Sequence, residues 1–199
     1  MTLAPVKRSD FSNGLVHLTR ERNEYGLVGM KPTLTKSVPA FDVLKEILTS
    51  ARIRGSGNDG FIKGATPAAC FSEVPLSAVH QFASGPSEEK AKYRYYGVSL
   101  SKQAAFAAGA RPVIYLPDAE GEWIPTDHKW RHVRFEHGKV DFTHEREWRA
   151  PGDFDLSRVP GLYVIVWSAT EAAEVMAMNG PLQKLIRGVL PMQHLTQFL

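Results

Sequence analysis

Short apolar runs, separated by breaks rich in glycine, proline and charge, organise this chain. Residues 14–19 (GLVHLT), 67–74 (PAACFSEV), 93–100 (YRYYGVSL), 111–116 (RPVIYL) and 161–168 (GLYVIVWS) have the length and composition of strands. Residues 20–37 are polar and broken by Gly26, Gly29 and Pro32, which predicts an extended loop. Behind Pro39, Phe41, Val43, Leu44, Ile47, Leu48 and Ala51 recur at helical spacing, and proline suits a first helical turn. A glycine-rich loop follows at 52–60 (RIRGSGNDG). Pro75 starts a predicted helix (PLSAVHQFA), and 85–92 reads as a charged loop. Ser101 as a cap and Gly109 as a stop bracket another helix, SKQAAFAAG. After a polar loop at 117–130, residues 131–137 and 139–150 predict a hairpin turning at His137-Gly138-Lys139. PGDFD ends its second strand. A helix over 169–178 stops at Asn179-Gly180-Pro181, and a strand at 187–191 precedes a C-terminal turn or helix.

Five to seven strands without a regular β-α-β alternation predict an α+β fold, not a doubly wound parallel sheet. The 199 residues suit one domain spanning 1–199. The chain is read as lacking a dinucleotide fingerprint, a P-loop, a GxSxG elbow and an HExxH helix.

Composition narrows the class. With 43% hydrophobic and 23% charged residues, the chain is neither disordered nor collagen-like. Its one cysteine, Cys70, excludes an internal disulfide framework and fits a reducing compartment. No apolar stretch follows the basic residues near the start, and no run approaches the ~20 residues of a membrane span. A soluble cytoplasmic protein with no membrane partner is expected. The net charge of +3 says little by itself. Its distribution says more: Lys129, Arg131 and Arg134 cluster, with Arg146 and Arg149 beyond them. This is either a phosphate-facing target patch or a solvated face.

The richest segment is His144-Glu145-Arg146-Glu147-Trp148-Arg149. As a strand it presents Glu145, Glu147 and Arg149 on one side and His144, Arg146 and Trp148 on the other. Carboxylates at i and i+2 repel, so a purely structural strand gains little from them. Neighbouring carboxylates can be driven to different pKa values, which suits divided catalytic labour. The alternative is an exposed strand with salt bridges. His128, His132, His137 and His144 make a metal site conceivable, but their spacing fits no standard one. Tyr93, Tyr95 and Tyr96 serve either as packing or as a stacking surface for a ring.

Six segments together resemble a bacterial ADP-ribosyltransferase-like group that includes the DarT toxins and AbiGi-type abortive-infection proteins. They are HLT at 17–19, ILTSARI, PAACFSEVPLSAV at 67–79, YYGVSLSK at 95–102, RPVIY at 111–115 and DFTHEREWRAPGDFDL at 141–156. The resemblance spans most of the chain. It implies a split, mostly antiparallel sheet with flanking helices, and NAD in the cleft as ADP-ribose donor, with no metal. By the same resemblance, Glu147 is the catalytic glutamate of an E-x-E signature, and Glu145 helps to activate the acceptor. His17, Thr19, Ser72 and Tyr96 fall in the NAD pocket. Arg149 either binds a pyrophosphate oxygen or neutralises Glu147. Lys129, Arg131 and Arg134 face the target, with nucleic acid favoured over protein. The family's serine-threonine-serine motif is absent, and the loop after His17 is long. The resemblance implies a mono-ADP-ribosyltransferase acting as an intracellular toxin in phage defence, with a cognate antitoxin as a candidate partner. The alternatives are a metal-dependent nuclease or hydrolase, and a non-catalytic antitoxin or interaction protein.

Overall fold

The first apolar run becomes β1 (Gly14–Leu18) in a computed structural model that describes residues 12–28, 31–57, 61–81, 83–86 and 93–195. Leu15 and Val16 are both buried on opposite faces, so β1 is an interior strand. The loop expected after it is instead a two-stranded antiparallel ribbon, β2 (Arg22–Val28) with β3 (Lys31–Val38). Tyr25, Leu27 and Leu34 on this ribbon are exposed, so no buried alternation marks it in the sequence. α1 (Ala40–Ser50) follows Pro39 as expected and buries Ala40, Leu44, Ile47 and Leu48. Each of its large aliphatic side chains contributes about 1.5–3 kcal/mol of burial. Ala51, at φ 54°, turns the chain out of α1 into β4 (Arg52–Ile53).

The spacing G-x-G-x-x-G does occur, at 55–60, contrary to the reading above. It follows a two-residue strand, and no helix begins at Phe61–Thr66, so the strand-to-helix context of a dinucleotide fingerprint is missing. β5 (Ala68–Ser72) confirms the second apolar run. A 3-10 turn, Leu76–Gln81, stands where a helix from Pro75 is expected. β6 (Ala83–Ser84) and β7 (Tyr93–Arg94) form a short parallel pair. β8 (Gly97–Ser101) leads into α2 (Lys102–Ala107), where the Ser101 hydroxyl accepts from the Ala104 N–H at 3.1 Å.

The predicted strand at 111–116 divides into β9 (Arg111–Pro112) and β10 (Ile114–Leu116). The predicted hairpin does not form. The Gly138 turn exists, at φ 73°, but β11 (His132–Arg134) pairs parallel with β10. β12 (Glu147–Pro151) pairs instead with β5 and β9. The reason is register: β12 finds partners from more than thirty residues away, which local alternation cannot encode. β13 (Phe154–Asp155) pairs back to β4. β14 (Leu162–Val166) is buried except at Tyr163. α3 (Ala169–Ala177) opens on a capping box between Ser168 and Glu171. β15 (Ile186–Pro191) and α4 (Met192–Leu195) complete the described chain. Expectations for residues 1–11, 29–30, 58–60, 82, 87–92 and 196–199 lie outside the described residues.

The structure is therefore mixed α/β with few helices and a mostly antiparallel seven-stranded sheet, ordered β15-β14-β8-β1-β5-β12-β9. Only the β14–β15 pair in it is parallel. One face carries Leu15, Phe71, Val98, Leu100, Ala150, Leu162 and Val164 into the main core. The other carries Val16 and Ile165 into a smaller cluster with Val79, Tyr95 and Met192. The sheet is not uniform. β1 pairs with β8 from Gly14–Ser101 to Leu18–Gly97, but with β5 only at Val16–Ser72. The four strands β15-β14-β8-β1 and the three strands β5-β12-β9 thus meet at a single register position. Among the described residues no helix is long and apolar enough to cross a membrane.

Gly97 sets how closely β8 approaches β1. A Cβ there would lie 2.1 Å from the His17 carbonyl oxygen and 3.0 Å from its carbon, both backbone atoms in mid-sheet. Gly97→Ala is expected to cost at least ~2 kcal/mol, read as a lowered denaturant midpoint with an unchanged slope.

Candidate functional site

Ser72 ends β5 and Glu147 begins β12, and the register sets them opposite each other. Ser72 also faces Val16, at the one position where the two parts of the sheet join. Residues paired across strands share a face, so Ser72, Glu147, Cys70 and Arg149 stand on one side. The Ser72 hydroxyl is half-buried and hydrogen-bonds to no other described residue.

Arg149 is the largest fully buried side chain, 2% exposed. Its Nε donates to Glu147 Oε1 at 2.7 Å and its Nη2 to Oε2 at 3.1 Å. Its Nη1 donates to the carbonyls of Trp130 and His132, at 2.8 and 3.3 Å. Of the two roles open to Arg149, the structure shows the pairing with Glu147. Buried under residues 130–132, the guanidinium is out of reach of a pyrophosphate, which corrects that expectation. The Glu147 N–H donates to the Tyr115 hydroxyl at 3.0 Å, which donates on to the Phe142 carbonyl at 3.3 Å. Burial first, and then the negative Glu147 beside it, push the Cys70 thiol up to about 12. It is a protonated packing group and no nucleophile.

Glu145 does not share this strand. It closes a 3-10 turn, Thr143–Glu145, and Arg146 follows in the left-handed region at φ 44°. A left-handed non-glycine residue costs roughly 1–2 kcal/mol and breaks the alternation. The expected common face of Glu145, Glu147 and Arg149 is therefore reduced to Glu147 and Arg149. Trp148 points to the opposite side, donating from Nε1 to Glu73 at 2.9 Å, and Glu73 pairs with Lys102 at 2.6 Å. Nothing in the local pattern distinguishes Tyr115 or Glu73; only the register shows that they brace this strand.

His17 stands at the same join but is turned the other way. Strand alternation places it on the Phe71 side, and its ring meets Phe71 edge-on at 6.0 Å. Its Nδ1–H donates across the join to the Cys70 carbonyl at 2.8 Å. Burial lowers its pKa, so the ring is neutral and Nε2 keeps an acceptor lone pair. Thr19 and Tyr96 lie toward the other end of β1. The Thr19 hydroxyl bonds to the carbonyls of Ala40 and Tyr96. The Tyr96 ring packs on Phe41 at 5.3 Å, and its hydroxyl donates to Glu171 at 2.7 Å. Burial is the main cause that raises its pKa. Both are committed to the interior.

The three basic residues assigned to a target differ from one another. Lys129 donates to the Gly121 carbonyl at 2.9 Å with Glu122 at 3.7 Å. Arg134 pairs with Glu136 at 2.7 Å. Arg131 bonds only to a backbone carbonyl, that of Pro112. The histidines do not converge: His132 is buried, with Nε2 on the Leu116 carbonyl, and His128 lies near Asp127 and Trp130. Among the described residues no group of three or more His, Cys, Asp or Glu could hold a metal ion.

An open groove of about 590 Å³ lies on the Ser72 face. Gly14, Ser99, Ser101 and Tyr163 form its floor, and Val74 and Leu76 its wall. Its lining includes Val74, two residues after Ser72 in the sequence, but neither Ser72 nor Glu147.

Two outcomes follow from this geometry. Glu147→Gln leaves the Arg149 charge buried and half-satisfied, which is expected to cost about 3–5 kcal/mol in chemical denaturation. Adding Arg149→Met should restore a large part of that loss. The His17 pKa lies below its unfolded value of 6.5, so the unfolded chain binds the extra proton first. The stability it contributes is complete above pH 6.5 and declines as the pH falls below it. A His17→Phe variant should show a flatter unfolding profile between about pH 5 and 7. Comparison with protein-family models, curated proteins and solved structures gives no match, so the site rests on its own geometry.

Proposed function

We propose that the protein is an NAD-dependent mono-ADP-ribosyltransferase that acts inside the cell as a toxin or phage-defence effector, with nucleic acid favoured over protein as acceptor. The observation that carries this reading is the placement of Ser72 opposite Glu147 where the sheet divides. That division is in keeping with a split antiparallel sheet.

NAD, when bound, supplies an N-glycosidic bond whose cleavage leaves positive charge on the ribose as neutral nicotinamide departs. Glu147 accepts a hydrogen bond from the ribose 2′-hydroxyl and stabilises that charge, the role carboxylates have in glycosidases. The bidentate contact to Arg149 fixes the carboxylate in one orientation. Ser72 offers to the nicotinamide end a hydroxyl with no partner among the described residues. His17, which the resemblance sets in the same pocket, is turned to the opposite face of the sheet with Phe71 and takes no part in this arrangement. Glu145, on its separate turn, takes the proton of the attacking acceptor group.

The internal pairing of Glu147 favours a second reading, a non-catalytic interaction protein of the same fold. The two separate on incubation with labelled NAD and RNA, DNA or protein side by side. Glu147→Asp keeps the charge beside Arg149 but withdraws the carboxylate by one methylene. Transfer should fall about 100-fold, with a loss of thermal stability smaller than that of Glu147→Gln. Glu145→Gln should lower transfer more than NAD cleavage. Undiminished transfer by Glu147→Asp sinks the assignment. NAD left intact, with a specific partner recovered in pull-downs, supports the second reading. Chelator-sensitive cleavage of nucleic acid without NAD would support a metal-dependent nuclease instead.

A further inference from the structure

Arg131 is the one member of the basic cluster without a carboxylate, and its real companion comes from another strand. Arg111, on the edge strand β9, sits opposite Arg149 in the register and so on the same side of the sheet as Glu147. Its Nη1 donates to the carbonyls of Phe106 and Ala110, both at 2.7 Å. Its guanidinium carbon lies 3.8 Å from the centre of the half-exposed Phe106 ring. Arg131 donates from Nε and Nη2 to the carbonyl of Pro112, the residue after Arg111, at 3.1 and 3.0 Å. Each guanidinium is half-buried and anchored only by backbone carbonyls and, for Arg111, by an aromatic face. Among the described residues no carboxylate pairs with either.

Two like charges anchored on carbonyls of the same short segment, 106–112, without an acid among the described residues repel each other, and a fold gains nothing from that arrangement. Burial and then the neighbouring Arg111 charge lower the Arg131 pKa, in line with that repulsion. Each arginine also keeps N–H donors that no atom of the described residues accepts, on a planar fork suited to oxyanions. The surrounding arginines dispose of their charge differently: Arg134 meets Glu136 and Arg149 meets Glu147.

We propose that Arg111 and Arg131 form a phosphate-binding pair at the β9 edge, for the phosphate groups of a nucleotide or of a polynucleotide strand. The cation–π contact and the carbonyl anchors hold the guanidiniums in place before a ligand arrives. An oxyanion between them removes the repulsion and takes up the open donors. The site does not depend on the transferase reading, because binding alone reports on it.

The test is a titration of the full chain with pyrophosphate, ADP-ribose and single-stranded oligonucleotides of increasing length, followed by calorimetry and thermal unfolding. Wild type should bind and be stabilised by at least one of these probes. Arg111→Gln and Arg131→Gln should each weaken that binding about tenfold, as expected for losing a charge-assisted hydrogen bond. Arg134→Gln should leave binding within twofold. At low salt and without ligand, the Arg111→Gln chain should unfold no earlier than wild type, because a repulsion is relieved. Lysine at either position should recover part of the binding. Saturation by pyrophosphate or ADP-ribose with a weak salt dependence identifies a nucleotide. Affinity that grows with oligonucleotide length and falls steeply with salt identifies a strand. Binding unchanged in both glutamine variants, or no binding of any probe by wild type, overturns the proposal. Transferase activity enters neither outcome, so failure here leaves that reading standing, and the reverse holds too.

Discussion

The buried Arg149–Glu147 pair is the constraint on which the site depends. Removing two charges from water costs several kcal/mol per ion, and bidentate geometry with further hydrogen bonds is what offsets it. Here those further bonds go to the carbonyls of Trp130 and His132. The pair therefore does more than join two residues of β12. It fastens the 126–134 segment over the sheet, where Trp130 packs with Ile62 and Ala68 in a separate small core. The same contact aims the Glu147 carboxylate beside Ser72. Orientation of the candidate catalytic group and attachment of a covering segment are one interaction.

That economy creates a tension. A carboxylate tied to a buried arginine is rigid, which favours a preorganised role toward developing positive charge. It is also partly neutralised, which weakens it as a proton acceptor. Division of labour answers this. Glu145, set apart by the left-handed Arg146, is free of the strand geometry that holds Glu147. The join between the two parts of the sheet adds the second element. One ladder position and the His17 bond to Cys70 link β1 to β5, where β1 and β8 share a full ladder. Polar side chains gather where ladder bonds stop.

Legibility followed burial. β1, β5, β14, α1 and α3 stand where their apolar runs predict, because each buries a continuous face or stripe. The β2–β3 ribbon is not legible, because Tyr25, Leu27 and Leu34 face solvent and leave no inward pattern. The turn at 137–139 that predicts a hairpin over 131–150 is genuine, but its two arms pair elsewhere. At the site, the pairing of Arg149 with Glu147 was among the alternatives that i, i+2 spacing offered. The resemblance set His17, Ser72 and Glu147 in one pocket, whereas the register pairs Ser72 with Glu147 and turns His17 to the opposite face. Arg111 carried no local signal at all, since its significance arises from Arg131, which reaches its neighbour Pro112 from a different loop.

By itself the sequence determined the class: an α+β chain with one thiol, a stripe-forming helix after Pro39, and a charge-dense segment at 144–149. These follow from period, composition and spacing, all properties of neighbours along the chain. Tertiary structure alone decided which strands pair, where the sheet divides, which arginine is spent on Glu147 and which two are anchored on one segment without an acid among the described residues. Those outcomes depend on register between distant segments and on desolvation, and both exist only once the chain has closed on itself.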